Sequence, residues 1–190
     1  FALPPGVHWT PVDVALADLR ARLGPVVGVE TLPVAMALDR IAAVDVMAPR
    51  AHPPLPNTAV DGYGFAGGRG AGRHELPLVE AQMAAGRSPD ITVPPGHAIR
   101  ILTGAALPAG VDTVVLQEDV VRDGASITFH GPIKAGANTR AAGEDVREGD
   151  RVAAKNRRLT PADLAVLTSV GVASVTVRKR LRVGIMSTGD

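Results

Sequence analysis

Glycine and proline interrupt this chain so often that long regular elements are excluded over most of its length. Its 190 residues include 21 glycines and 16 prolines. Proline cannot donate a backbone hydrogen bond to a helix or a sheet, and glycine favours turns. Because 46% of the residues are hydrophobic, the chain is nevertheless expected to fold and not to be disordered. We therefore predict short ordered elements joined by many turns, in one domain or two small ones.

Charge and composition exclude several classes of function. Twenty Lys and Arg residues against 19 Asp and Glu leave a net charge of +1, which gives no general attraction to nucleic acid or to an anionic membrane. Five aromatic residues provide no stacking platform for single-stranded nucleic acid. The absence of cysteine excludes disulfides, thiolate zinc sites and cysteine nucleophiles, and it favours a reducing, cytoplasmic location. No apolar run approaches the roughly 20 residues that span a bilayer.

The same helix-start signal occurs twice. Thr10 is followed by proline and then by Asp13, and Thr160 by proline and then by Asp163. This pattern is typical of a threonine N-cap with an acidic side chain in the first turn. The first helix is predicted over residues 8–24, where apolar side chains fall on one face. The other predicted helices cover residues 33–42 and 160–170.

Between the helices, short apolar runs alternate with turns, which is typical of a small β-barrel or sandwich. The predicted strands are 26–32, 63–65, 76–83, 98–102, 113–117, 126–129, 172–177 and 182–187. Prolines within residues 48–56 predict an extended connector. The glycine-rich run 67–72 has no βαβ pattern around it, so it is interpreted as a flexible hairpin tip and not as a phosphate loop.

These elements predict a mixed α+β, multi-domain fold. Residues 1–47 and 140–178 form a small discontinuous α/β unit, and residues 48–139 form an inserted β-barrel-like domain. Residues 179–190 are interpreted as the first strand of a truncated α/β domain, on which the helix over 8–24 could pack. Because the chain stops where the helix of that domain is expected to start, we expect it to be part of a longer protein.

Four loops combine small residues with a carboxylate or a hydroxyl at the edge of a β segment. They centre on Asp61, on Thr103, on Asp145 and on the terminal run from Ser187 to Asp190. The five histidines lack metal-ligand spacing, and no serine lies in a nucleophile elbow, so ordinary hydrolase triads have no support. Each loop alone is an ordinary turn, but their order and spacing along the chain are specific.

That order closely resembles the molybdopterin molybdotransferase family, the molybdenum insertases that include the E domain of gephyrin. The matching segments are Pro56 to Tyr63, Arg100 to Ala105 with Pro108 and Gly110, Asp112 to Glu118, Gly143 to Asp145 with Gly149, and Ser187 to Asp190. The resemblance runs from about Val26 to Asp190 and covers the front half of the family's length. Thr58 and Gly64 stand where the family often has serine and alanine.

The resemblance implies a function in molybdenum cofactor biosynthesis. Members of the family insert molybdate into adenylylated molybdopterin and release AMP, in a step that depends on a divalent cation. They are homodimers, and their active cleft lies between the β-rich domain of one subunit and the α/β pterin-binding domain of the other. A molybdopterin adenylyltransferase is the implied pathway partner. Because the second half of the family's length is absent, we expect these 190 residues alone to be inactive in molybdate insertion.

The resemblance also implies roles for individual residues. Asp61, Thr103 and Asp145 are the expected catalytic residues on one wall of the cleft. The expected cofactor-binding residues are Arg100, Gly104, Arg140, Ser187, Thr188, Gly189 and Asp190. A molybdate dianion about 4 Å from an aspartate would be repelled by several kcal/mol at an effective dielectric constant near 20. We therefore expect Asp61 and Asp145 to hold Mg²⁺ or a metal-bound water, and Thr103 to donate to an oxyanion.

A non-catalytic β-rich binding or scaffold module is the alternative function. Residues 143–152 have the turn rhythm of lipoyl or biotinyl carrier domains. Those domains need an exposed lysine at a hairpin tip, and neither Lys134 nor Lys155 lies in the sequence context of such modules. A scaffold role like that of gephyrin has no positive support in these residues.

Overall fold

The computed structural model describes residues 9–189 and is mostly β-sheet with two α-helices. The elements, in chain order, are α1 (Val12–Arg22), β1 (Val29–Pro33), β2 (Val46–Met47), β3 (Asn57–Thr58), β4 (Gly62–Phe65), β5 (Arg69–Met83), β6 (Ala98–Ile101), β7 (Thr113–Leu116), β8 (Val120–Asp123), β9 (Ser126–Ile133), β10 (Thr139–Arg140), β11 (Arg151–Ala153), α2 (Pro161–Ser169) and β12 (Ser174–Arg178). None of the helices in this part of the chain has the length and apolar character needed to cross a membrane.

A six-stranded sheet forms the centre of the middle region, in the order β7-β4-β6-β5-β9-β8. Its neighbouring strands are antiparallel except for β5 and β6, which are parallel. All four residues of β4 are buried, and this strand pairs with β6 on one side and β7 on the other. At Gly62 a Cβ atom would lie 2.0 Å from the carbonyl oxygen of Val115. Glycine is therefore required where β4 meets β7.

Two apolar clusters pack in this region. One contains Tyr63, Phe65, Leu76, Ala98, Val115, Ile127 and Phe129. The other contains Met83, Val93, Ile99, Ile101, Ala105 and Val114. The rings of Phe65 and Phe129 stack with centroids 5.4 Å apart, which adds to the stabilisation from burying their area. With so few aromatic residues in the chain, aliphatic side chains supply most of this core.

A third apolar cluster joins segments that are distant in sequence. It contains Val34, Ala37, Ala42, Ala153, Leu159, Leu167, Val175 and Val177. The strand pairs β1-β12 and β2-β11 and the helix α2 surround it. The helix starts as predicted, because Thr160 is its N-cap and forms a capping box with Asp163.

The first helix differs from its prediction. Helix α1 covers Val12–Arg22, and its N-cap residue is Pro11 and not Thr10, whose side chain makes no capping hydrogen bond. Residue 8, the predicted start, lies outside the described residues. No side chain of α1 is buried, and Val12 is 75% exposed. Within residues 9–189 nothing covers the apolar face of this helix.

Two predicted elements are absent, and in both cases the hydrogen-bond partners of the backbone explain the difference. Residues 33–42 form no α-helix: Pro33 ends β1, and a short 3₁₀ turn, Val34–Met36, follows it. Long-range bonds to the partner segments replace the helical ones, for example from Val34 N to the Ala173 carbonyl and from Ala42 N to the Arg157 carbonyl. The predicted strand 182–187 is irregular and exposed, since no strand pairs with it in the described part of the chain.

The glycine-rich run 67–72 is not a hairpin tip. It leads into β5, which begins at Arg69, and Gly72 pairs with Gly131 of β9. A Cβ atom at Gly131 would lie 2.0 Å from the Gly70 carbonyl oxygen. The missing side chain of Gly131 therefore lets β9 approach the Gly70 backbone of β5 closely.

Candidate functional site

Asp61 and Thr103 are in direct contact, although 42 residues separate them. The Thr103 backbone N–H donates to Asp61 Oδ1 over 2.7 Å, and the Thr103 hydroxyl donates to the same oxygen over 2.6 Å. These two bonds hold the pKa of Asp61 below its ordinary value, and the hydroxyl bond has the larger effect. Burial opposes them more weakly, and the nearby Arg100 charge lowers the pKa a little further. Asp61 is therefore an ionised carboxylate at neutral pH.

The loop that carries Asp61 is shaped by Thr58. This buried threonine donates from its hydroxyl to the Val60 carbonyl over 2.7 Å and accepts from Val60 N over 3.2 Å. Such local side-chain bonds favour a tight turn. Thr58 N also donates to the Ala105 carbonyl, and Gly104 N donates to the Thr58 carbonyl. These bonds join the two loops and fix the Asp61–Thr103 contact.

Gly104 follows the contact in a backbone conformation that favours glycine. Its φ of +78° lies in the left-handed region. This conformation turns the chain after Thr103 so that Gly104 N reaches the Thr58 carbonyl, 2.9 Å away. The predicted cofactor-binding residue Gly104 thus lies directly beside the Asp61–Thr103 contact.

Arg100 lies on β6, three residues before Thr103. Its guanidinium is over the Tyr63 ring, 5.1 Å from the centroid, and donates to the Gly62 carbonyl over 3.1 Å. A further bond of 2.5 Å goes to Gln117 Oε1. Gln117 was not predicted as a site residue, although it lies in the segment from Asp112 to Glu118 that resembles the family. Arg100 is fixed by neutral acceptors and an aromatic face.

Asp145 belongs to a second cluster, centred on Arg140. Arg140 Nε donates to Glu144 Oε1 over 3.0 Å, and Arg140 Nη2 donates to Asp145 Oδ1 over 2.5 Å. The bonds to Asp145 and then to Glu144 raise the pKa of Arg140. His52 Nε2 lies 3.9 Å from Asp145 Oδ2. The sequence-based prediction missed both Glu144 and His52. The contact of His52 requires the 52 and 145 loops to meet, whereas Glu144 contacts Arg140 only four residues away.

The strand β3 connects the two clusters. Its Asn57 pairs with Arg140 on one side and forms a bridge to Ala106 on the other. The segment after Thr103 and the segment around Arg140 are therefore neighbours of the same short strand. Asp145 forms no hydrogen bond with Asp61 or Thr103 within residues 9–189.

The terminal loop is not part of either cluster in this chain. Ser187, Thr188 and Gly189 are exposed and irregular. Asp190 lies outside the described residues. The second wall predicted for the cleft is thus not assembled from the residues that the structure describes.

The two clusters offer oxygen ligands but no preassembled metal centre. No group of three or more His, Asp or Glu side chains converges between residues 9 and 189. Both hydrogen bonds to Asp61 fall on Oδ1, and the bond from Arg140 falls on Oδ1 of Asp145. One oxygen of each carboxylate is therefore left for a ligand. One or two carboxylates completed by water and substrate oxygens are the donor set that Mg²⁺ accepts.

The hydrogen bonds also define what Thr103 can do. An ionised carboxylate only accepts hydrogen bonds, so the O–H of Thr103 must be the donor in its bond to Asp61. Its oxygen can then accept a hydrogen bond from a bound water or substrate. In this arrangement the donation to an oxyanion expected from the sequence would require the hydroxyl to rotate away from Asp61.

A family model described as the MoeA N-terminal region, domains I and II, matches residues 10–171. The chain is 37% identical over 166 residues to a molybdopterin molybdenumtransferase of Synechococcus elongatus, covering 85% of this chain and 41% of that protein. It is 38% identical over 156 residues to the protein of the same name in Haemophilus influenzae, covering 81% and 38%. The chain thus spans about two fifths of the length of these curated relatives.

Solved structures give the same result for the fold. The molybdopterin biosynthesis MoeA protein of Pyrococcus horikoshii superposes with a TM-score of 0.78 at 32% identity, covering 90% of this chain and 46% of that one. A second crystal structure of a molybdopterin biosynthesis MoeA protein from Pyrococcus gives a TM-score of 0.75 at 31% identity, with 88% of this chain and 44% of that one covered.

Proposed function

The chain belongs to the MoeA N-terminal family, and on that premise we propose that it is part of a molybdopterin molybdenumtransferase in molybdenum cofactor biosynthesis. In the proposed reaction the complete protein inserts molybdate into adenylylated molybdopterin and releases AMP. The single observation that carries the proposal is the contact in which Thr103 donates twice to Asp61. It joins two motifs of the family through their polar residues.

Asp61 is the proposed catalytic carboxylate. It is ionised and held in one orientation by Thr103, and one of its oxygens is left for a ligand. Thr103 is proposed to act with it by fixing this orientation and by accepting a hydrogen bond from a water or a substrate. Asp145 is proposed to contribute a second carboxylate, which Arg140 orients.

Mg²⁺ is the cation that these two carboxylates are proposed to hold. When bound, it would reduce the repulsion between the aspartates and the molybdate and phosphate oxygens. Arg100, Arg140 and Gly104, with the terminal run from Ser187 to Asp190, are proposed to bind the cofactor precursor. Arg140 is paired with Glu144 and Asp145, whereas Arg100 donates to neutral acceptors, so Arg100 is the arginine whose charge favours an anionic substrate.

A homodimer and a division into domains complete the proposal. Residues 1–47 and 140–178 are proposed as one unit and 48–139 as an inserted domain. The apolar cluster that joins the 34–42 and 153–177 segments supports this division, because it contains no residue of the segment between them. The exposed apolar face of α1 supports packing of this helix on the domain that starts near residue 179. The active cleft is proposed to need that domain from a second subunit.

Molybdate-dependent AMP release by the complete protein tests the proposal. Asp61→Asn and Asp145→Asn keep the size of each side chain but remove its charge, and we expect each to reduce the rate at least tenfold. Asp90→Asn is the matched control, because the exposed Asp90 carboxylate forms no hydrogen bond or ion pair with the described residues. Wild-type rates for Asp61→Asn and Asp145→Asn would show that these carboxylates have no role in the reaction.

A further inference from the structure

An open cavity of about 440 Å³ lies beside Arg100, at the side of the six-stranded sheet. Residues 78–82 of β5 form one wall, and Arg100 of β6 forms another. The β8–β9 hairpin closes it with Arg122, Gly124 and Ala125. The volume is within the range of small-molecule sites in proteins. Neither the sequence patterns nor the proposed reaction assigns a role to Arg122 or to residues 78–82.

The strand β5 is irregular where it forms this cavity. Leu78 pairs with Ala98 and Gln82 pairs with Arg100, so β5 has two more residues than β6 between these pairs. The extra residues interrupt the regular pairing of β5 with β6 at the cavity wall. Bulges of this kind are frequent next to binding sites, because they redirect side chains that a regular strand would hold flat.

The two arginines of the cavity lack a carboxylate partner. Arg100 donates to neutral acceptors, Gly62 and Gln117, and Arg122 Nε donates to the Gly124 carbonyl over 3.3 Å. In the described part of the chain neither forms an ion pair, whereas Arg140 pairs with two carboxylates. Arg100 is also held over the Tyr63 ring. Arg100 lies close enough to Asp61 to lower the pKa of that carboxyl, but its guanidinium donors do not contact a carboxylate directly. An arginine without a direct carboxylate partner at the edge of a cavity favours an anionic ligand.

The other residues that line the cavity indicate which chemical group a ligand would carry besides its anion. Leu78, Val79 and Ala81 give the cavity an apolar wall. We propose that this cavity binds a small organic phosphate ester, with Arg100 and Arg122 as ligands of the phosphate and the apolar wall in contact with the organic group. Glu80 also lines the cavity and opposes an anion. The proposal agrees with a phosphorylated substrate and to that extent rests on the proposed function, but the binding requires neither molybdate nor turnover.

Calorimetric titration of the 190-residue chain with phenyl phosphate tests this site, with inorganic phosphate and phenol as comparison ligands. We expect saturable binding of phenyl phosphate, weaker binding of inorganic phosphate and none of phenol. Arg122→Gln should weaken phenyl phosphate binding about tenfold or more, as loss of a charge-assisted hydrogen bond does. Arg122→Lys should retain part of the affinity, and Glu80→Gln should increase it severalfold.

Arg73→Gln is the matched control, since Arg73 is an exposed β5 arginine that pairs with Glu75 and lies outside the cavity. It changes the net charge equally and should leave the affinity within about twofold. Absence of saturable binding to the wild-type chain, or equal losses for Arg122→Gln and Arg73→Gln, would overturn the proposal. Equal affinity for inorganic phosphate and phenyl phosphate would overturn the ester part of it. The proposed function is tested by a separate measurement, the rate of AMP release by the Asp61→Asn variant, so the two proposals can fail independently.

Discussion

Thr103 donates two hydrogen bonds to a single oxygen of Asp61, one from its backbone nitrogen over 2.7 Å and one from its hydroxyl over 2.6 Å. The pair therefore combines a backbone bond that any residue except proline could supply at position 103 with one that needs a hydroxyl. This difference lets the contribution of the Thr103 side chain be measured apart from the loop geometry.

Thr103→Val should raise the pKa of Asp61 toward its ordinary value. The substitution keeps the β-branched shape and the backbone N–H but removes the hydroxyl, which is the largest cause of the lowered pKa. Carboxyl-carbon NMR during an acid titration measures the shift directly. Thr103→Ser keeps a hydroxyl and is the control, with a pKa expected near that of the wild type. An unchanged pKa in Thr103→Val would mean that the hydroxyl bond is unimportant.

Arg140→Lys should reduce AMP release by the complete protein at least tenfold while changing its stability little. The guanidinium contacts Glu144 and Asp145 at once, and an ammonium cannot reproduce that fork. Because the side chains are partly exposed and screened by solvent, the ion pairs contribute little to folding stability. Arg151→Lys, at the surface pair with Asp45, is the matched control. Equal rates for the two variants would contradict a role for the fork.

Gly62→Ala should destabilise the chain by about 3 kcal/mol or more, as overpacking of a rigid site does. The added Cβ would lie 2.0 Å from the Val115 carbonyl oxygen, and a paired strand cannot move aside cheaply. Gly70→Ala is the control in the same sheet, because a Cβ at Gly70 meets no atom within 4 Å. Urea unfolding of both variants gives the comparison. Similar urea midpoints for the two variants would show that β4 and β7 can move apart with no loss in the free energy of unfolding.

The stability of the chain should fall in acid partly through Asp163. Burial raises the pKa of this carboxyl, but bonds from Thr160 and from Arg157 outweigh burial and leave the pKa below the ordinary 3.8. A group with a lowered folded-state pKa stabilises the fold above its unfolded pKa and loses that contribution as pH falls through the folded value. The free energy of unfolding, measured with urea at several pH values, should therefore fall less steeply from pH 7 to pH 2 for Asp163→Asn than for the wild type. Parallel curves would exclude Asp163 as a source of the acid sensitivity.

The elements that the sequence predicted well are those fixed by local chemistry. The capping signal at Thr160 and Asp163 placed the start of α2 correctly, since both partners lie within one helical turn. The same signal at Thr10 failed to provide the N-cap of α1. The strands 98–101 and 113–116 were predicted within one residue at each end, because a buried apolar run between turn residues is a local pattern.

The elements that it missed depend on distant partners. Residues 33–42 were predicted as a helix, but backbone hydrogen bonds to Arg157 and Ala173 hold this segment in a non-helical conformation. The glycines of the 67–72 run indicated flexibility, whereas Gly70 and Gly72 lie in β5, and the missing side chain of Gly131 lets β9 pack against the Gly70 backbone. Propensity describes one segment at a time and cannot include such bonds.

The residues of the site divide in the same way. Family membership, and the importance of Asp61, Thr103 and Asp145 as candidates, followed from the order of motifs along the chain. The tertiary structure alone decided how these residues are paired. Thr103 holds Asp61, and Arg140 joins Asp145 to Glu144. The guanidinium of Arg100 lies over the Tyr63 ring. The sequence fixes which polar groups are available, but hydrogen bonds form only over about 3 Å, and the sheet pairings bring residues 42 positions apart within that distance.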